Sequence, residues 1–383
     1  MAVTEVHLPV PRAAYVHVPF CAHRCGYCNF TLVARRDDLI DDYLRAIDIE
    51  LQSLNEPHEV DTLFLGGGTP TQLNDSQFSR LVERLRAWFP LAEDYEFSIE
   101  ANPADLCDER LRFLVSLGVS RLSLGGQSFD ADKLRVLERD HSPSQLTMAL
   151  GLSCEQIGSV SVDLIFGVPA ETLDVWREDL HCAIELAPQH VSTYGLTFER
   201  GTSFWSRREH GELRPLDEEL DREMYALAID TLTNAGYEHY EISNFAKPGH
   251  RCRHNEAYWA GDGYYAVGPG AARYVNGRRE MNHRSTTTWL KRVLEGQSPV
   301  AEVEVLSPED RSREMLVFGL RRIDGVERAD FANRSGFEIE ALVGDPLPRF
   351  VDQGLLADDG TRVRLTRSGL FVSDSIWPYF LKR

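Results

Sequence analysis

Short apolar runs alternate with amphipathic stretches through the first two hundred residues of the chain. The segment at 15–18 ends at Pro19 and reads as a strand running into a loop. Residues 39–54 carry apolar side chains at 40, 43, 44, 47, 51 and 54, the stripe of an amphipathic helix. A buried strand is expected at 60–65, stopped by Gly66, Gly67, Gly68, Thr69 and Pro70, and a helix at 75–89 follows. The same alternation predicts a strand at 95–100, a helix at 107–117 closed by Gly118, and a strand at 120–124. Two short helices near 130–139 and 143–152 precede a strand at 159–166, a helix at 172–186 and a sixth strand at 190–196.

Six such strand–helix units argue for a parallel sheet with right-handed crossovers. Pattern alone leaves an open doubly wound sheet and a closed barrel as alternatives. In both, the C-terminal ends of the strands lie on one face, where sites are built. The Cys-rich loop after 15–18, the Gly66–Gly68 turn, Glu100, Gln127, Asp163 and residues 197–199 all follow strand ends and are expected to converge.

The character changes beyond residue 200. An acidic helix is expected at 216–235, a further strand at 237–245, then the segment RCRHNEAYW at 251–259. Residues 261–270 hold four Gly and one Pro and read as a loop whose backbone approaches a ligand closely. A helix at 286–295 follows. From about 305, helices near 308–322, 327–334 and 339–353 precede a tight pair of strands at 355–357 and 363–365, an order resembling a winged helix.

Charge and cysteine content narrow the function. With 60 acidic and 41 basic residues the net charge is −19, which opposes non-specific nucleic-acid binding, so no nucleic-acid partner is expected. No apolar run is long enough for a membrane span, and the N-terminus lacks a charged-then-apolar signal. Seven Cys, an odd number with three clustered, suit a reducing cytoplasm, where the chain is expected to reside. Cys107, Cys154 and Cys182 read as core or surface thiols.

The three clustered thiols are Cys21, Cys25 and Cys28, a C-x3-C-x2-C run. Three thiolates so close in sequence can meet at one point, and their charge then requires a positive centre. A disulfide with one spare thiol, a zinc ion with His17 or His23 as fourth ligand, and an iron–sulfur cluster are the alternatives. A cluster on three Cys would leave one metal corner free for a small molecule.

The run, with Tyr27 just before its last Cys, resembles the cluster loop of the radical S-adenosylmethionine (SAM) superfamily. Further stretches resemble one branch of it, the oxygen-independent coproporphyrinogen dehydrogenases and heme chaperones (HemN/HemW). These are YVHVPFC at 15–21, FLGGGTPT at 64–71, IEANP at 99–103, RLSLGGQSF at 121–129, VDLIFGVP at 162–169 and STYGLTFE at 192–199.

The resemblance implies an α/β fold, a partial (β/α)6 barrel over 1–235. It is followed by a connecting region at 236–304 and a small C-terminal helical, winged-helix-like unit at 305–383. It implies a [4Fe-4S] cluster on Cys21, Cys25 and Cys28, with SAM on the open iron. Tyr15, Gly67 and Glu100 match contacts to that SAM, Glu100 through its ribose hydroxyls. Tyr27, Gly68, Thr69, Gln127, Arg139 and Asp163 match positions that hold a second SAM in the dehydrogenases, and Ala272 would lie against adenine.

The dehydrogenases carry a further Cys two residues after the third, where this chain has Phe30, and a long segment before the run, which here begins at Cys21. Both departures point away from coproporphyrinogen decarboxylation. HNEAYW at 254–259 matches the HNxxYW motif of the chaperones, in which the His is implicated in holding heme. His254 would then be an axial ligand with Tyr258 and Trp259 as flat apolar surface, and Cys252 a lesser candidate. The expectation is a carrier of heme, cluster and SAM that passes heme to an acceptor protein of respiratory, membrane-bound type and takes electrons from a separate donor. The alternative is the radical decarboxylation of a porphyrinogen.

Overall fold

The computed structural model describes residues 9–381; residues 1–8, on which the expectation about a targeting signal falls, and 382–383 lie outside them. Strand β1 (Ala13–Val18) leads into a loop pinned by two short strands, β2 (Phe20–Cys21) and β3 (Val33–Ala34). Five strand–helix steps follow. They are α1 (Ile40–Gln52) and β4 (Val60–Gly67), α2 (Asp75–Trp88) and β5 (Leu91–Ala101), and α3 (Asp108–Ser116) and β6 (Arg121–Gln127). Next come α4 (Ala131–Val136), α5 (Pro143–Gln156) and β7 (Ser159–Phe166), then α6 (Leu173–Leu186) and β8 (His190–Gly195). Helices α7 (Ser203–Glu209) and α8 (Glu218–Asn234) lead to β9 (Glu238–Glu241) and β10 (Asn244–Ala246).

The main sheet has nine strands in the order β11-β1-β4-β5-β6-β7-β8-β10-β9. From β1 to β8 every neighbouring pair is parallel. The edges do not meet, so the sheet has the form of the partial (β/α)6 barrel that the resemblance implies. Strand β11 (Tyr265–Val267) pairs parallel with β1. It lies inside the Gly-rich stretch that reads as pure loop in the sequence. Three residues between glycines carry no strand signal of their own, and β1 supplies the ladder that orders them.

Strand alternation sorts the residues. Val16, Leu63, Leu65, Phe97, Ile99, Leu122, Leu124, Val160, Val162 and Val191 join the helices in one apolar core. The intervening positions are polar and line the inside: His17, Thr62, Glu96, Ser98, Glu100, Arg121, Ser123, Ser161, Asp163, His190 and Ser192. They satisfy one another across the strands, as in Ser123 Oγ donating to Asp163 at 3.0 Å and Ser161 Oγ bonding His190 Nδ1 at 2.8 Å.

Helix starts follow local chemistry. Asn74 with Gln77, and Ser142 with Gln145, form capping boxes at α2 and α5. The indole N–H of the fully buried Trp176 donates to the Met224 carbonyl at 2.8 Å, tying α6 to α8.

Beyond the sheet, α9 (Arg253–Trp259) closes the N-terminal end of the barrel. A meander of β12 (Ala272–Val275), β13 (Arg278–Asn282) and β14 (Val300–Val305) surrounds α10 (Thr286–Leu294). The C-terminal part is built on α11 (Pro308–Arg321), β15 (Val326–Glu327) and α12 (Arg328–Ser335). The helix expected at 339–353 is two, α13 (Ile339–Val343) and α14 (Pro346–Asp352), broken at Gly344, whose φ of 60° and ψ of −138° leave the helical region. The hairpin of β16 (Leu356–Asp358) and β17 (Arg362–Leu365) pairs with β15 as the expected wing. Arg367 to Asp230 at 2.6 Å and Arg334 to Asp262 at 2.7 Å bind this part to the rest. No described helix is long and apolar enough to cross a membrane.

One buried charge cluster braces the turn after β6. Lys133 reaches Asp179 at 2.8 Å and also contacts Glu171, with all three side chains almost fully enclosed. Ser128 Oγ donates to Asp179 at 2.8 Å, so the cluster holds the backbone just past Gln127. Replacing the cation strands two carboxylates in low dielectric. Lys133→Met is therefore expected to cost about 3–5 kcal/mol. Urea unfolding followed by circular dichroism checks this, and a midpoint unchanged from wild type would show the cluster is not held as described.

Candidate functional site

The C-terminal strand ends surround a cavity of about 570 Å³. Cys21, Cys25, Tyr27, Cys28, Gly67, Gly68, Thr69, Glu100, Gln127, Arg139 and Asp163 all line it, so residues more than 140 positions apart meet there. Tyr15, His254 and Ala272, also singled out in the sequence, are absent from its wall.

The Cys loop is held at both ends. Val33 N donates to Pro19 O at 2.8 Å and Arg35 N to Cys21 O at 3.0 Å. Cys28 N turns back to Cys25 O at 3.1 Å, bringing the last two thiols onto one turn. All three thiols are free; Cys21 and Cys25 are buried and Cys28 is half-buried. Thr69 Oγ1 lies 3.3 Å from Cys21 Sγ, and Arg139 Nη1 lies 3.5 Å from Cys25 Sγ. Burial pushes the Cys21 thiol up to about 11 and raises Cys28 as well. Without a positive centre these sulfurs stay protonated, and loading one releases their protons.

The donor set discriminates among the metal alternatives. His17 Nε2 bonds Thr31 O at 2.6 Å and its Nδ1 faces Tyr15 Oη at 3.0 Å, so its ring has no nitrogen to give. Three free thiols on a rim, two of them buried and Cys28 half-buried, with Arg139 Nε buried and without a partner beside them, fit a bulkier anionic group better than one ion.

The Gly-rich loop is shaped by contact with the Cys loop. Gly68 N donates to Val18 O at 2.8 Å and Thr69 N to Phe20 O at 2.7 Å. A Cβ on Gly68 would stand 2.7 Å from Phe20 O, and one on Gly67, whose φ is 106°, would strike the His17 ring at 2.2 Å. Gly67 N donates to Glu100 Oε2 at 2.8 Å and so aims that carboxylate along the wall. Opposite, Arg139 Nη2 donates to Gly125 O at 2.7 Å, and Gln127 is held at a φ of 65°, a strained conformation for a side-chain-bearing residue. Burial raises the Asp163 and Tyr27 pKa values, so each is neutral over a wider pH range than in water.

Tyr15 sits one layer below the cavity, its ring stacked on Phe64 at 6.1 Å. Ala272 lies in β12, paired in register with Met281. Ser123, Tyr194 and Arg284 line the cavity without having been singled out; the alternation along β6 and β8 is the signal that could have found the first two.

His254, expected from the resemblance to offer a ring nitrogen to iron, has both ring nitrogens engaged by protein groups in this structure. His254 is 1% exposed. Thr62 Oγ1 bonds Nδ1 at 2.8 Å, Tyr258 Oη bonds Nε2 at 2.8 Å, and Phe64 stacks on the ring at 5.1 Å. Burial lowers its pKa to about 3, keeping it neutral. Its helix is seated by Glu96, which accepts from Arg253 N at 3.0 Å and His254 N at 3.2 Å. The buried Cys252 thiol also faces that carboxylate, at 3.6 Å.

Residues 15–183 match the Radical SAM superfamily and residues 306–372 match the HemN C-terminal domain. The chain is 34% identical to the heme chaperone HemW of Lactococcus lactis over 98% of both chains. It is 33% identical to that of Bacillus subtilis over 97% of this chain and 99% of the other. Among solved structures, coproporphyrinogen III oxidase (HemN) from Escherichia coli superposes with a TM-score of 0.85 at 23% identity, covering 98% of this chain and 91% of that one. The chain belongs to the HemN/HemW family of the radical SAM superfamily.

Proposed function

We propose that the protein is a heme chaperone of the HemW type, which binds heme, a [4Fe-4S] cluster and SAM and passes heme to an acceptor protein. The observation that carries this reading is the meeting of three free thiols with Gly67 and Glu100 in one cavity, on a chain similar to heme chaperones from end to end. A [4Fe-4S] cluster on Cys21, Cys25 and Cys28 would supply an iron open to the amino and carboxylate groups of SAM and a store of one electron.

The protein groups have distinct tasks. The backbone at Gly67 and Gly68, bare of side chains, leaves room for the methionine end of SAM. Glu100 is an acceptor suited to two ribose hydroxyls. Tyr27, Gly68, Thr69, Gln127, Arg139 and Asp163 form the second SAM position. The acceptor is proposed to be a respiratory, membrane-bound hemoprotein. A shared fold with coproporphyrinogen III oxidase supports the second reading, decarboxylation of a porphyrinogen, but Phe30 stands where that branch has its additional Cys.

Anaerobically purified protein titrated with heme is expected to develop a Soret band saturating near one equivalent, and to transfer that heme to an apo-hemoprotein. No spectral change at micromolar heme would remove the chaperone reading. Incubation with coproporphyrinogen III, dithionite and SAM is expected to give no vinyl product; vinyl formation would establish the second reading instead.

Glu100 gives a pH test. Burial, opposed by the Gly67 N–H and reinforced by Asp163, pushes its carboxyl up to about 7 from an ordinary 4.5. Between those values the folded protein binds the extra proton, so this group makes stability fall as pH rises through 7. Glu100→Gln removes that penalty. The ligand-free variant is expected to melt higher than wild type at pH 8, with the gap narrowing towards pH 5, yet to lose stabilisation by SAM. A gap independent of pH, measured by scanning calorimetry, would contradict the assignment.

A further inference from the structure

The return arm of the cysteine loop, residues 29–31, is held from behind by two segments distant in sequence. Arg284 Nη2 donates to Asn29 O at 2.8 Å, one residue past Cys28. Gly270 lies so close to the loop that a Cβ on it would stand 2.4 Å from Thr31 Oγ1. Two residues earlier, a Cβ on Gly268 would meet His17 O at 2.5 Å, just before the loop begins. Thr31 O in turn bonds His17 Nε2 at 2.6 Å, so one turn, Gly268–Gly270, grips the loop where it leaves β1 and where it returns.

One carboxylate fixes both segments. Glu50, near the end of α1 and 2% exposed, accepts from Gly268 N at 3.0 Å, from Asn282 Nδ2 at 2.6 Å and from Trp289 Nε1 at 3.1 Å. Asn282 Nδ2 also donates to Gly268 O at 2.8 Å, so both polar groups of the Gly268 backbone are engaged. The donors come from the turn after β11, the end of β13 and α10, and they converge on one point. An ionised carboxylate has lone pairs for all three and no proton of its own to place. Burying such a group is costly, and an apolar side chain would serve the packing of α1 as well. Desolvation pushes the Glu50 carboxyl up to about 7, against the pull of the three donors.

We propose that Glu50 is the positioning residue of the cysteine loop, acting through the Gly268–Gly270 turn on Thr31 and His17 and through the Asn282–Arg284 segment on Asn29. Glu50 is absent from the wall of the cysteine cavity, so its effect reaches the thiols only through these contacts. A loop held in place before its metal arrives spends no binding energy on being ordered. The inference deepens the cluster reading and rests on it for the purpose of the arrangement. Its test uses thiol chemistry alone, so the two fail separately.

The metal-free full-length protein is treated with iodoacetamide at pH 8, and alkylation of each Cys is followed by peptide mass spectrometry. Wild type is expected to protect the buried Cys21, Cys25 and Cys252 relative to the exposed Cys107. Glu50→Gln sets an amide NH2 against the converging donors. It is expected to speed Cys21 and Cys25 by about ten-fold or more, the scale of one lost hydrogen bond to a charged group, with Cys252 and Cys107 unchanged. Gly268→Ala, which breaks the contact with His17 O and leaves the carboxylate in place, is expected to do the same. Far-ultraviolet circular dichroism confirms that the variants are folded, and Gly268→Ala decides alone should Glu50→Gln fail to fold. Unchanged rates at Cys21 and Cys25 in the folded variants would overturn the proposal. Equal acceleration of Cys252 would show a general loss of stability and overturn it too. The chaperone reading stands in both cases, because heme titration tests it separately.

Discussion

The packing of the Gly66–Thr69 backbone onto the end of β1 is the constraint on which the mouth of the barrel depends. Two backbone hydrogen bonds, from Gly68 and Thr69 to Val18 and Phe20, bring the loops together at a distance where no Cβ fits. That contact sets the height of the Cys loop over the strands. It brings Thr69 to Cys21 and turns the Gly67 N–H towards Glu100. A side chain at Gly68 would push the cysteines away from the acids they are meant to face.

Below that rim the barrel carries an unusual load of buried polarity, and the apolar layer outside it makes this tolerable. Glu96, Arg121 and His190, all buried, and Glu100 and Asp163, half-buried, lie on the inward face of parallel strands whose outward face is almost wholly aliphatic. Most of the inward groups are satisfied by neighbours one strand away, which rigidifies the wall. Glu50 performs a similar task outside the barrel, accepting from Gly268 N, Asn282 and Trp289 and so strapping the chain after β11 to α1. The exceptions are informative. Glu100 has one protein donor, and Arg139, Trp259 and Tyr274 keep an idle polar atom. Glu100 and Arg139 both line the cysteine cavity.

Much of this was legible in the sequence. The six strand–helix units stand out because each strand ends in Gly, Pro or Asn and each helix has a regular apolar stripe, so the parallel sheet and its reactive face follow from local signals. The Cys loop, the glycine turn, Glu100, Gln127 and Asp163 were placed together for that reason. Three features were not legible. Strand β11 exists only through pairing with β1. The break at Gly344 depends on a backbone conformation that a lone Gly in a helical pattern does not announce. His254 carries the residue type of a metal ligand, yet Thr62 and Tyr258, one of them 192 positions away, take both its nitrogens.

Strand β5 carries a carboxylate at each level of the barrel, with Glu96 seating the motif helix and Glu100 on the cysteine side. The central claim is that the three thiols hold a cluster with one corner open to SAM. Electron paramagnetic resonance of the anaerobically reconstituted, reduced protein, recorded before and after SAM is added, tests it most directly. The account predicts a [4Fe-4S] signal whose g values shift with SAM. A signal that SAM leaves unchanged, or a preparation holding one zinc and no labile sulfide, would contradict it.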